Sequence, residues 1–375
     1  MKVSFDTLGC KINQFYTNCL KQKNIKEGNE VVSIDENPDT AYINTCAVTA
    51  RAGSESRKLY RKAKRNAKEV KVFGCQAKLF SHEFEEKYEC DEDILIEEEF
   101  ETSSSRARPY LPIQFGCNNF CAYCIVPYAR GKSYSLLENK IIENIEKLID
   151  NDYKEVVLTG IHIGNYSYKN KGLKELLKEL LGFDIRIRLT SLMPDYLDPE
   201  FIKLFENENL MPHVHLSQQS GSNKILKRMR RKYTRETTLL LSKKLREIRK
   251  DIRIAGDFIV GFPGETEKDF DDTENIIKEA NFSHLHIFRY SERPYTLANL
   301  YPNEVKDSVR KERACRLKKL GKSQRAEFVS ENLGKTFKTI IEGNSVLGEK
   351  YLTGITPNYI KVHFPENGKK NGIAS

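Results

Sequence analysis

Three cysteines, Cys117, Cys121 and Cys124, lie close together in the sequence CNNFCAYC. Thiolates this near one another can converge on one metal centre with little loss of chain entropy. A structural zinc site takes four protein ligands, typically as two separated pairs, and no fourth cysteine or paired histidine follows here. Three thiolates suit a cubane [4Fe–4S] cluster with one iron open to a non-protein ligand. A zinc site completed by a distant histidine stays open on this pattern alone.

Three further cysteines, Cys10, Cys46 and Cys75, share a local context. Each follows a short strand-like segment and precedes a helix-like stretch; the predicted strands are Lys2–Thr7, Ala41–Asn44 and Val70–Phe73, and the clearest helices are Thr49–Lys68 and Gln76–Tyr88. In an open parallel sheet the carboxyl ends of all strands lie along one edge, where ligands bind. Each cysteine alone is explained as a small apolar residue in a turn. Three in the same position favour a second common site.

The other cysteines, Cys19, Cys90 and Cys315, lack such a setting and are expected to be ordinary thiols. The total of nine is odd, and the N-terminus has no basic-then-apolar signal pattern. Both observations argue against a disulfide framework.

Composition limits the class of protein. The 375 residues predict two or three domains, and 39% hydrophobic residues suffice for sizeable cores. Glycine and proline together number 33 (21 + 12), which excludes collagen-like and low-complexity chains. Mean hydropathy is −0.58, and no apolar run approaches the ~18 residues that a membrane span needs. We expect a soluble, cytoplasmic, multidomain protein with no membrane partner.

The charge of +9 is unevenly spread. Residues 57–71 hold eight Lys/Arg and one acid, residues 224–250 twelve and two, and residues 306–325 nine and two. Such runs attract phosphates because neutralising them releases counterions. Each run is also explained as a solvated helix face. Three separate runs favour a polyanionic partner.

Strand and helix patterns divide the chain into an N-terminal α/β unit, an α/β core and a β-rich tail. An acidic segment (89–101) and a Thr-Ser linker (102–105) follow the first unit. In the core, predicted strands are Tyr110–Phe115, Glu155–Thr159, Asp184–Ser191, His213–Ser217, Arg253–Val260 and Ser283–Tyr290; predicted helices are Leu136–Asp150, Leu173–Leu181, Asp198–Glu208, Thr234–Lys250, Thr266–Ala280 and Lys306–Asn332. Six strands alternating with helices predict a parallel sheet or partial barrel. In the tail, Thr336–Glu342 and Asn358–Phe364 read as strands.

Several motifs together resemble the radical S-adenosylmethionine (SAM) methylthiotransferases. They are TLGCKIN (7–13), NTC (44–46), CNNFCAYCIVPYARG (117–131), QSGS (219–222) and IVGFPGET (259–266). The similarity spans nearly the whole chain in the right order. It implies an N-terminal doubly wound α/β domain (residues 1–101), a partial (β/α)6 radical SAM barrel (103–333) and a small, short C-terminal β domain (334–375) similar to a TRAM domain, an RNA-binding module.

The resemblance also implies two [4Fe–4S] clusters. Cys117, Cys121 and Cys124 would hold the cluster whose open iron binds SAM, which is cleaved to a 5′-deoxyadenosyl radical that abstracts hydrogen from the substrate carbon. The cysteines at positions 10, 46 and 75 would hold an auxiliary cluster implicated in sulfur delivery, and a second SAM would supply the methyl group. An unactivated aromatic C–H has no useful acidity, so the cofactor must carry the hard step.

Further residues are implied to bind SAM. Tyr123 would lie against its adenine, and Gln219, Ser220 and Gly261 would cradle its ribose and methionine parts. Core packing explains Tyr123 equally well, and a tight turn explains the glycine.

Within the family, LGCKINQ (8–14), YARG (128–131) and LTGIHIG (158–164) most resemble the enzymes that act on N6-threonylcarbamoyladenosine beside the tRNA anticodon. Alternatives are the isopentenyladenosine enzymes and those acting on a ribosomal-protein aspartate. The implied partners are the tRNA anticodon stem-loop and an electron donor such as a flavodoxin or ferredoxin. The chain departs from the family pattern at Tyr295, where glycine is usual, and at Ser217-Gln218.

Two hypotheses from other classes stay open. A zinc-stabilised RNA-binding protein would use the cysteines structurally and would turn over no SAM. A radical SAM enzyme acting on an unrelated small molecule would have basic faces that are merely solvated.

Overall fold

The computed structural model describes residues 1–85, 106–366 and 373–374. Cys90, the acidic segment and the Thr-Ser linker lie outside the described residues, as does the end of the predicted helix Gln76–Tyr88.

The N-terminal unit is a four-stranded parallel sheet in the order β2-β1-β3-β4. Its strands are β1 (Lys2–Thr7), β2 (Glu30–Val31), β3 (Thr40–Thr45) and β4 (Glu69–Gly74), and its helices are α1 (Lys11–Lys26), α2 (Ala50–Asn66) and α3 (Cys75–Leu79). Apolar clusters cover both faces, and every residue of β3 is buried. The strand order reverses between β1 and β3, and such switch points bind ligands in doubly wound folds. The predicted doubly wound unit is confirmed.

The central unit contains six parallel strands in the order β5-β7-β10-β11-β12-β13, with the short antiparallel β6 beside β5. The strands are β5 (Tyr110–Phe115), β6 (Tyr134–Ser135), β7 (Glu155–Gly160), β10 (Arg186–Leu189), β11 (His213–Gln219), β12 (Arg253–Val260) and β13 (His284–Arg289). The strands form two hydrogen-bonded sheets, one that ends at β10 and one that begins at β11, and isolated parallel bridges join them. Among the described residues β13 pairs only with β12, so the barrel is partial, as predicted.

Helices follow the barrel strands, and the first of them packs on α3 of the N-terminal unit rather than on the outside of the barrel. They are α4 (Val126–Arg130), α5 (Glu138–Asp150), α6 (Leu173–Leu180), α7 (Pro199–Lys203), α8 (Asn223–Arg228), α9 (Arg235–Ile248), α10 (Glu267–Glu279) and α11 (Asp307–Ser330). A small hairpin, β8 (Ser167–Tyr168) and β9 (Lys171–Gly172), precedes α6. Apolar faces of α5, α6, α9 and α10 pack on the strands to form the largest core of the described chain.

The C-terminal unit is an antiparallel sheet in the order β16-β15-β14-β17. It consists of β14 (Thr339–Ser345), β15 (Gly348–Ile355), β16 (Lys361–Pro365) and β17 (Ile373–Ala374). The prediction of a β-rich tail is confirmed.

This sheet packs against the edge of the barrel where the strands begin. Arg188 pairs with the fully buried Glu155 at 2.6 Å and donates to the Pro357 carbonyl at 3.0 Å. The Tyr359 ring stacks on His213 at a centroid distance of 4.5 Å. The opposite edge, where the strands end, therefore carries the loops available for a functional site.

The sequence prediction was wrong about the helix after Cys75. The helix ends at Leu79, and a separate 3-10 turn follows at Ser81–Glu83. Phe80 between them adopts φ −124° and ψ 52°, which is not helical.

Candidate active site at two cysteine triads

The first triad, Cys117, Cys121 and Cys124, lies in the loop between β5 and α4, at the edge where the barrel strands end. Each of the three residues is partly buried. The loop is fixed at both ends, because the Cys117 amide donates to the Gly131 carbonyl at 3.1 Å and the Ala122 amide to the Met229 carbonyl at 3.1 Å. Burial raises the pKa of the Cys117 thiol, and it raises the pKa of the Cys124 thiol to about 12.

Arg231 is the cation beside this triad. Its Nη1 lies 3.5 Å from Cys121 Sγ, and its guanidinium lies over the Tyr123 and Tyr233 rings at 5.9 and 5.7 Å. No carboxylate within the described part of the chain lies in ion-pair range of it. The cation would therefore gain an electrostatic partner from ionised thiols, or from an anionic group that they hold.

The second triad lies at the carboxyl edge of the N-terminal sheet. Cys10 precedes α1, Cys46 follows β3, and Cys75 begins α3. A Cβ on Gly9 would lie 3.2 Å from Cys46 Sγ, so the first two loops are in contact. Burial raises the pKa of the Cys75 thiol to about 11; the Arg130 guanidinium opposes that rise, and the nearby thiols add to it. The structure thus brings together three cysteines that are dispersed in the sequence.

Asn13 holds two of these loops together. Its Nδ2 donates to the Leu8 carbonyl at 2.8 Å and to the Thr45 carbonyl at 3.0 Å. The Cys10 thiol lies 3.8 Å from its Oδ1. Asn13 therefore links the loop that carries Cys10 to the loop that carries Cys46.

Arg130 connects the two units. It ends α4, six positions after Cys124, yet its Nε donates to Cys75 Sγ at 3.2 Å, and its Nη2 donates to Asn13 Oδ1. An apolar cluster of Ala47, Cys75 and Ala129 surrounds this contact. The segment that follows the first triad is thus packed against the second.

The spacing of the thiols indicates whether a triad suits a single zinc ion or an iron–sulfur cluster. Four sulfurs around one zinc ion, with Zn–S near 2.3 Å, would lie about 3.8 Å apart. Among the described residues, neither triad has its three Sγ atoms within 4.8 Å of one another. A cubane cluster binds each cysteine on a different iron and needs wider spacing. In each triad an arginine guanidinium lies beside one of the sulfurs. Such a triad fits an anionic iron–sulfur cluster better than it fits a single zinc ion.

The four predicted SAM contacts lie at the same edge of the barrel. Gln219 ends β11 with φ +67°, Gly261 follows β12 with φ +72°, and Tyr123 packs beside Ile259 of β12. A Cβ on Gly261 would lie 2.3 Å from Arg310 Cγ, so side-chain packing already requires glycine there. The buried Ser220 hydroxyl lies 3.4 Å from Thr273 Oγ1 of α10.

Sequence reasoning missed His162. The ring is buried, and neither of its nitrogens has a hydrogen-bond partner in the described part of the chain. Burial, reinforced by Arg231, lowers its pKa to about 4, so the ring is neutral near pH 7. The available sequence signal was a histidine that closely follows a barrel strand.

A polar cluster on β11, β12 and β13 was missed too. Asp257 Oδ1 accepts from His215 Nε2 at 2.9 Å and from His286 Nδ1 at 3.2 Å. The alternation of histidines in His213–His215 and His284–His286 was the available sequence signal, because residues i and i+2 of a strand share a face.

The basic runs have a partly structural explanation. In α11, Arg313 pairs with Glu265 at 2.6 Å, and Arg316 pairs with Glu274 at 2.7 Å. Arg310 is buried as well. These side chains fix α11 to the barrel, so the third run is a weaker indication of RNA binding than its charge suggests.

No helix in the described ranges is both long enough and apolar enough to cross a membrane.

Comparisons with known proteins agree with this geometry. Residues 111–277 match the model of the Radical SAM superfamily, and residues 2–96 match Uncharacterized protein family UPF0004. The threonylcarbamoyladenosine tRNA methylthiotransferase MtaB of Aquifex aeolicus is 38% identical over 94% of this chain and 96% of its own length. The Bacillus subtilis protein of the same name is 34% identical over 96% of this chain and 90% of its own length. The chain belongs to the radical SAM methylthiotransferase family.

A second kind of relative within the methylthiotransferases is also similar. The tRNA-2-methylthio-N(6)-dimethylallyladenosine synthase of Azobacteroides pseudotrichonymphae is 32% identical over 97% of this chain and 91% of its own length. Among solved structures, the radical SAM methyltransferase TsrM from Kitasatospora setae, with cobalamin and a [4Fe–4S] cluster bound, matches with a TM-score of 0.56. It is 15% identical over 79% of this chain and 76% of that chain. At that identity the likeness concerns the fold.

Membership of the radical SAM methylthiotransferases confirms the predicted enzyme class and its cofactors, SAM and [4Fe–4S] clusters. The hypothesis of a zinc-stabilised, non-catalytic RNA-binding protein was wrong.

Proposed function

We propose that this enzyme methylthiolates C2 of N6-threonylcarbamoyladenosine beside the anticodon of tRNA, giving 2-methylthio-N6-threonylcarbamoyladenosine. The observation that carries the proposal is near full-length similarity to five threonylcarbamoyladenosine tRNA methylthiotransferases, at 33–38% identity over 87–96% of their lengths. The relatives named dimethylallyladenosine synthases are 30–32% identical. Isopentenyladenosine in tRNA is therefore the second candidate substrate.

In this proposal Cys117, Cys121 and Cys124 hold the cluster that binds SAM, and Cys10, Cys46 and Cys75 hold the auxiliary cluster. The buried thiols and the two arginines support it, because guanidinium groups stabilise anionic metal–thiolate centres. When bound, the cofactors supply a radical that takes hydrogen from the adenine carbon, together with the sulfur and the methyl group.

The chain's own side chains position these groups and exclude water. Arg231 and Tyr123 form one wall beside Cys121, and Arg130 fixes the orientation of Cys75. We assign Gln219, Ser220 and Gly261 to the SAM pocket because they follow β11 and β12 at the edge that carries the first triad. Loops at the carboxyl ends of barrel strands are where such folds bind substrates.

The partners follow from the substrate. A tRNA anticodon stem-loop would be bound in the cytoplasm, with the C-terminal sheet acting as a TRAM-like RNA-binding unit. Reductive cleavage of SAM needs an electron donor such as a flavodoxin or ferredoxin. We propose the domain division 1–101, 103–333 and 334–375 on the same basis.

The test is a competition between the two tRNA substrates. The anaerobically reconstituted full chain would receive SAM, a reductant, sulfide and equal amounts of tRNA carrying threonylcarbamoyladenosine and tRNA carrying isopentenyladenosine. Nucleosides would then be analysed by mass spectrometry. We expect the mass of a methylthio group on threonylcarbamoyladenosine. Its appearance on isopentenyladenosine alone would reverse the assignment, and its absence from both would overturn it.

A further inference from the structure

Three exposed aromatic side chains meet at the surface beside the first triad. Phe120, Tyr128 and Tyr295 are 47%, 44% and 62% exposed. The centroid of the Tyr128 ring lies 5.8 Å from that of Phe120 and 6.0 Å from that of Tyr295. These three residues are termed here the aromatic cluster; Phe120 and Tyr128 come from the cysteine loop and the helix that follows it, and Tyr295 comes from the loop after β13. Adjacent exposed rings of this kind mark an interaction site more often than single exposed side chains do.

The backbone presents two of these rings in an unfavourable conformation. Phe120 has φ +43° and Tyr295 has φ +68°, a region that bulky residues rarely adopt. The two loops are tied to each other, because the Ala298 amide donates to the Ala122 carbonyl at 2.7 Å. Strained residues held in this way concentrate at functional sites.

The aromatic cluster is close to both triads along the chain or through neighbouring residues. Phe120 stands between Cys117 and Cys121 in sequence, and Tyr128 is two residues before Arg130, which contacts Cys75. On the other side, the Arg293 guanidinium, two residues before Tyr295, lies 5.2 Å from the centroid of the Phe80 ring. The rings are thus carried by segments that also pack against the second triad.

The surroundings carry positive charge. Lys132 is exposed just after α4, and Arg51, which pairs with Glu55 Oε1 at 2.7 Å, is exposed in the first turn of α2. The Ala50 amide donates to Ser291 Oγ at 2.9 Å, which brings that turn to the loop after β13. Rings flanked by cations match an RNA strand, whose bases stack on aromatic side chains while its phosphates pair with basic ones.

We infer that the aromatic cluster of Phe120, Tyr128 and Tyr295 is a stacking platform for unstacked nucleobases of the RNA substrate, next to the adenosine that is modified. The inference rests on the proposed function in requiring an RNA substrate. It adds to that function the three residues that contact the base and the kind of contact they make, which is stacking on an aromatic ring. A base is recognised here by its π face, so the platform tolerates different sequences.

The main test compares tRNA binding by variants of the reconstituted full chain. Tyr295→Gly removes a ring and relieves the backbone at φ +68°, so a loss of binding would not stem from added strain. Tyr295→Phe keeps the ring. Tyr128→Ala removes a second ring, and Leu240→Ala, which is 55% exposed on α9, is the control for loss of exposed apolar surface.

We expect tRNA affinity, measured by fluorescence anisotropy, to fall about tenfold or more in Tyr295→Gly and Tyr128→Ala. Tyr295→Phe and Leu240→Ala should bind as the wild type does. The salt dependence of binding should not change, because no phosphate contact is lost. SAM cleavage without tRNA should be preserved.

Two results would overturn the inference. One is unchanged affinity in both ring-deleting variants. The other is an equal loss of tRNA-free SAM cleavage, which would make the rings part of the cluster site. Binding is read independently of turnover, so a wild type that binds tRNA through these rings but forms no methylthio product would count against the proposed function alone.

Discussion

The Arg130 Nε donates to Cys75 Sγ at 3.2 Å, although the two residues belong to different units and lie 55 positions apart. Because Arg130 ends the short helix that follows Cys124, one backbone segment is fixed at both thiol triads. The two thiol triads are therefore positioned relative to each other by covalent structure as well as by packing.

Replacing Arg130 tests this coupling. In Arg130→Met the second triad loses the guanidinium that donates to Cys75 Sγ, so we expect iron content to fall from about eight towards four per chain, as one cubane is lost. Methylthiolation should decrease at least tenfold while SAM cleavage is retained. Arg130→Lys, which keeps the charge, should lose less iron. Full iron content with normal methylthiolation in Arg130→Met would contradict this role.

Arg231 should matter most when the first triad is loaded. Its guanidinium lies 3.5 Å from Cys121 Sγ and has no carboxylate partner among the described residues. We expect Arg231→Met to lower SAM cleavage at least tenfold and to destabilise the loaded chain. In a Cys121→Ala background, the same substitution should change the free energy of unfolding far less. Equal effects in both backgrounds, measured by urea unfolding, would show that the two residues are not coupled.

Gly74 tests the backbone before Cys75. It has φ +87°, and a Cβ there would lie 2.7 Å from the Thr45 carbonyl oxygen. Gly28 is the matched control, with φ +81° and nothing within 4 Å of its Cβ position. We expect Gly28→Ala to reduce the free energy of unfolding by about 1 kcal/mol through backbone strain alone. Gly74→Ala should cost roughly 2–4 kcal/mol, because overpacking adds to that strain. Similar losses of unfolding free energy in the two variants would mean that the edge formed by β3 and β4 relaxes around the added Cβ at little cost.

Tyr359 tests how the C-terminal sheet is attached. Its ring stacks on His213 and lies 4.9 Å from the Arg188 guanidinium. We expect Tyr359→Ala to lose about 1–3 kcal/mol of local stability and to speed tryptic cleavage near Lys335. Tyr359→Phe retains the ring and should resist tryptic cleavage as the wild type does. Unchanged proteolysis of the alanine variant would place the attachment elsewhere.

The sequence predicted the framework well because its signals were local. The strands Lys2–Thr7, Tyr110–Phe115 and Arg253–Val260 were predicted with the bounds they have. The last two read as the short, mostly apolar runs of buried parallel strands, and the first alternates polar and apolar residues. The helix after Cys75 was predicted too long, and β15 was not predicted at all. That strand begins Gly348-Glu349-Lys350, which carries no strand signal.

The contacts that define the site could not be predicted in this way. Arg231 and Cys121 are 110 positions apart, and Arg130 and Cys75 are 55 apart. Arg231 lies in a basic run whose composition equally suits a solvated helix, and the short segment around Arg130 carries no signal that points to Cys75. Only the packing of α4 on α3, and of the loop after α8 on the cysteine loop, makes them neighbours of thiols.

The most direct measurement compares the two triads in one assay. The wild type, Cys10→Ala/Cys46→Ala/Cys75→Ala and Cys117→Ala/Cys121→Ala/Cys124→Ala would each receive SAM, reductant and tRNA carrying threonylcarbamoyladenosine. Formation of 5′-deoxyadenosine and of the methylthio nucleoside would be quantified together. Two cooperating sites predict that the first variant still forms 5′-deoxyadenosine but no methylthio product, and that the second forms neither. Methylthio product from the first variant, or 5′-deoxyadenosine from the second, would contradict this division of roles.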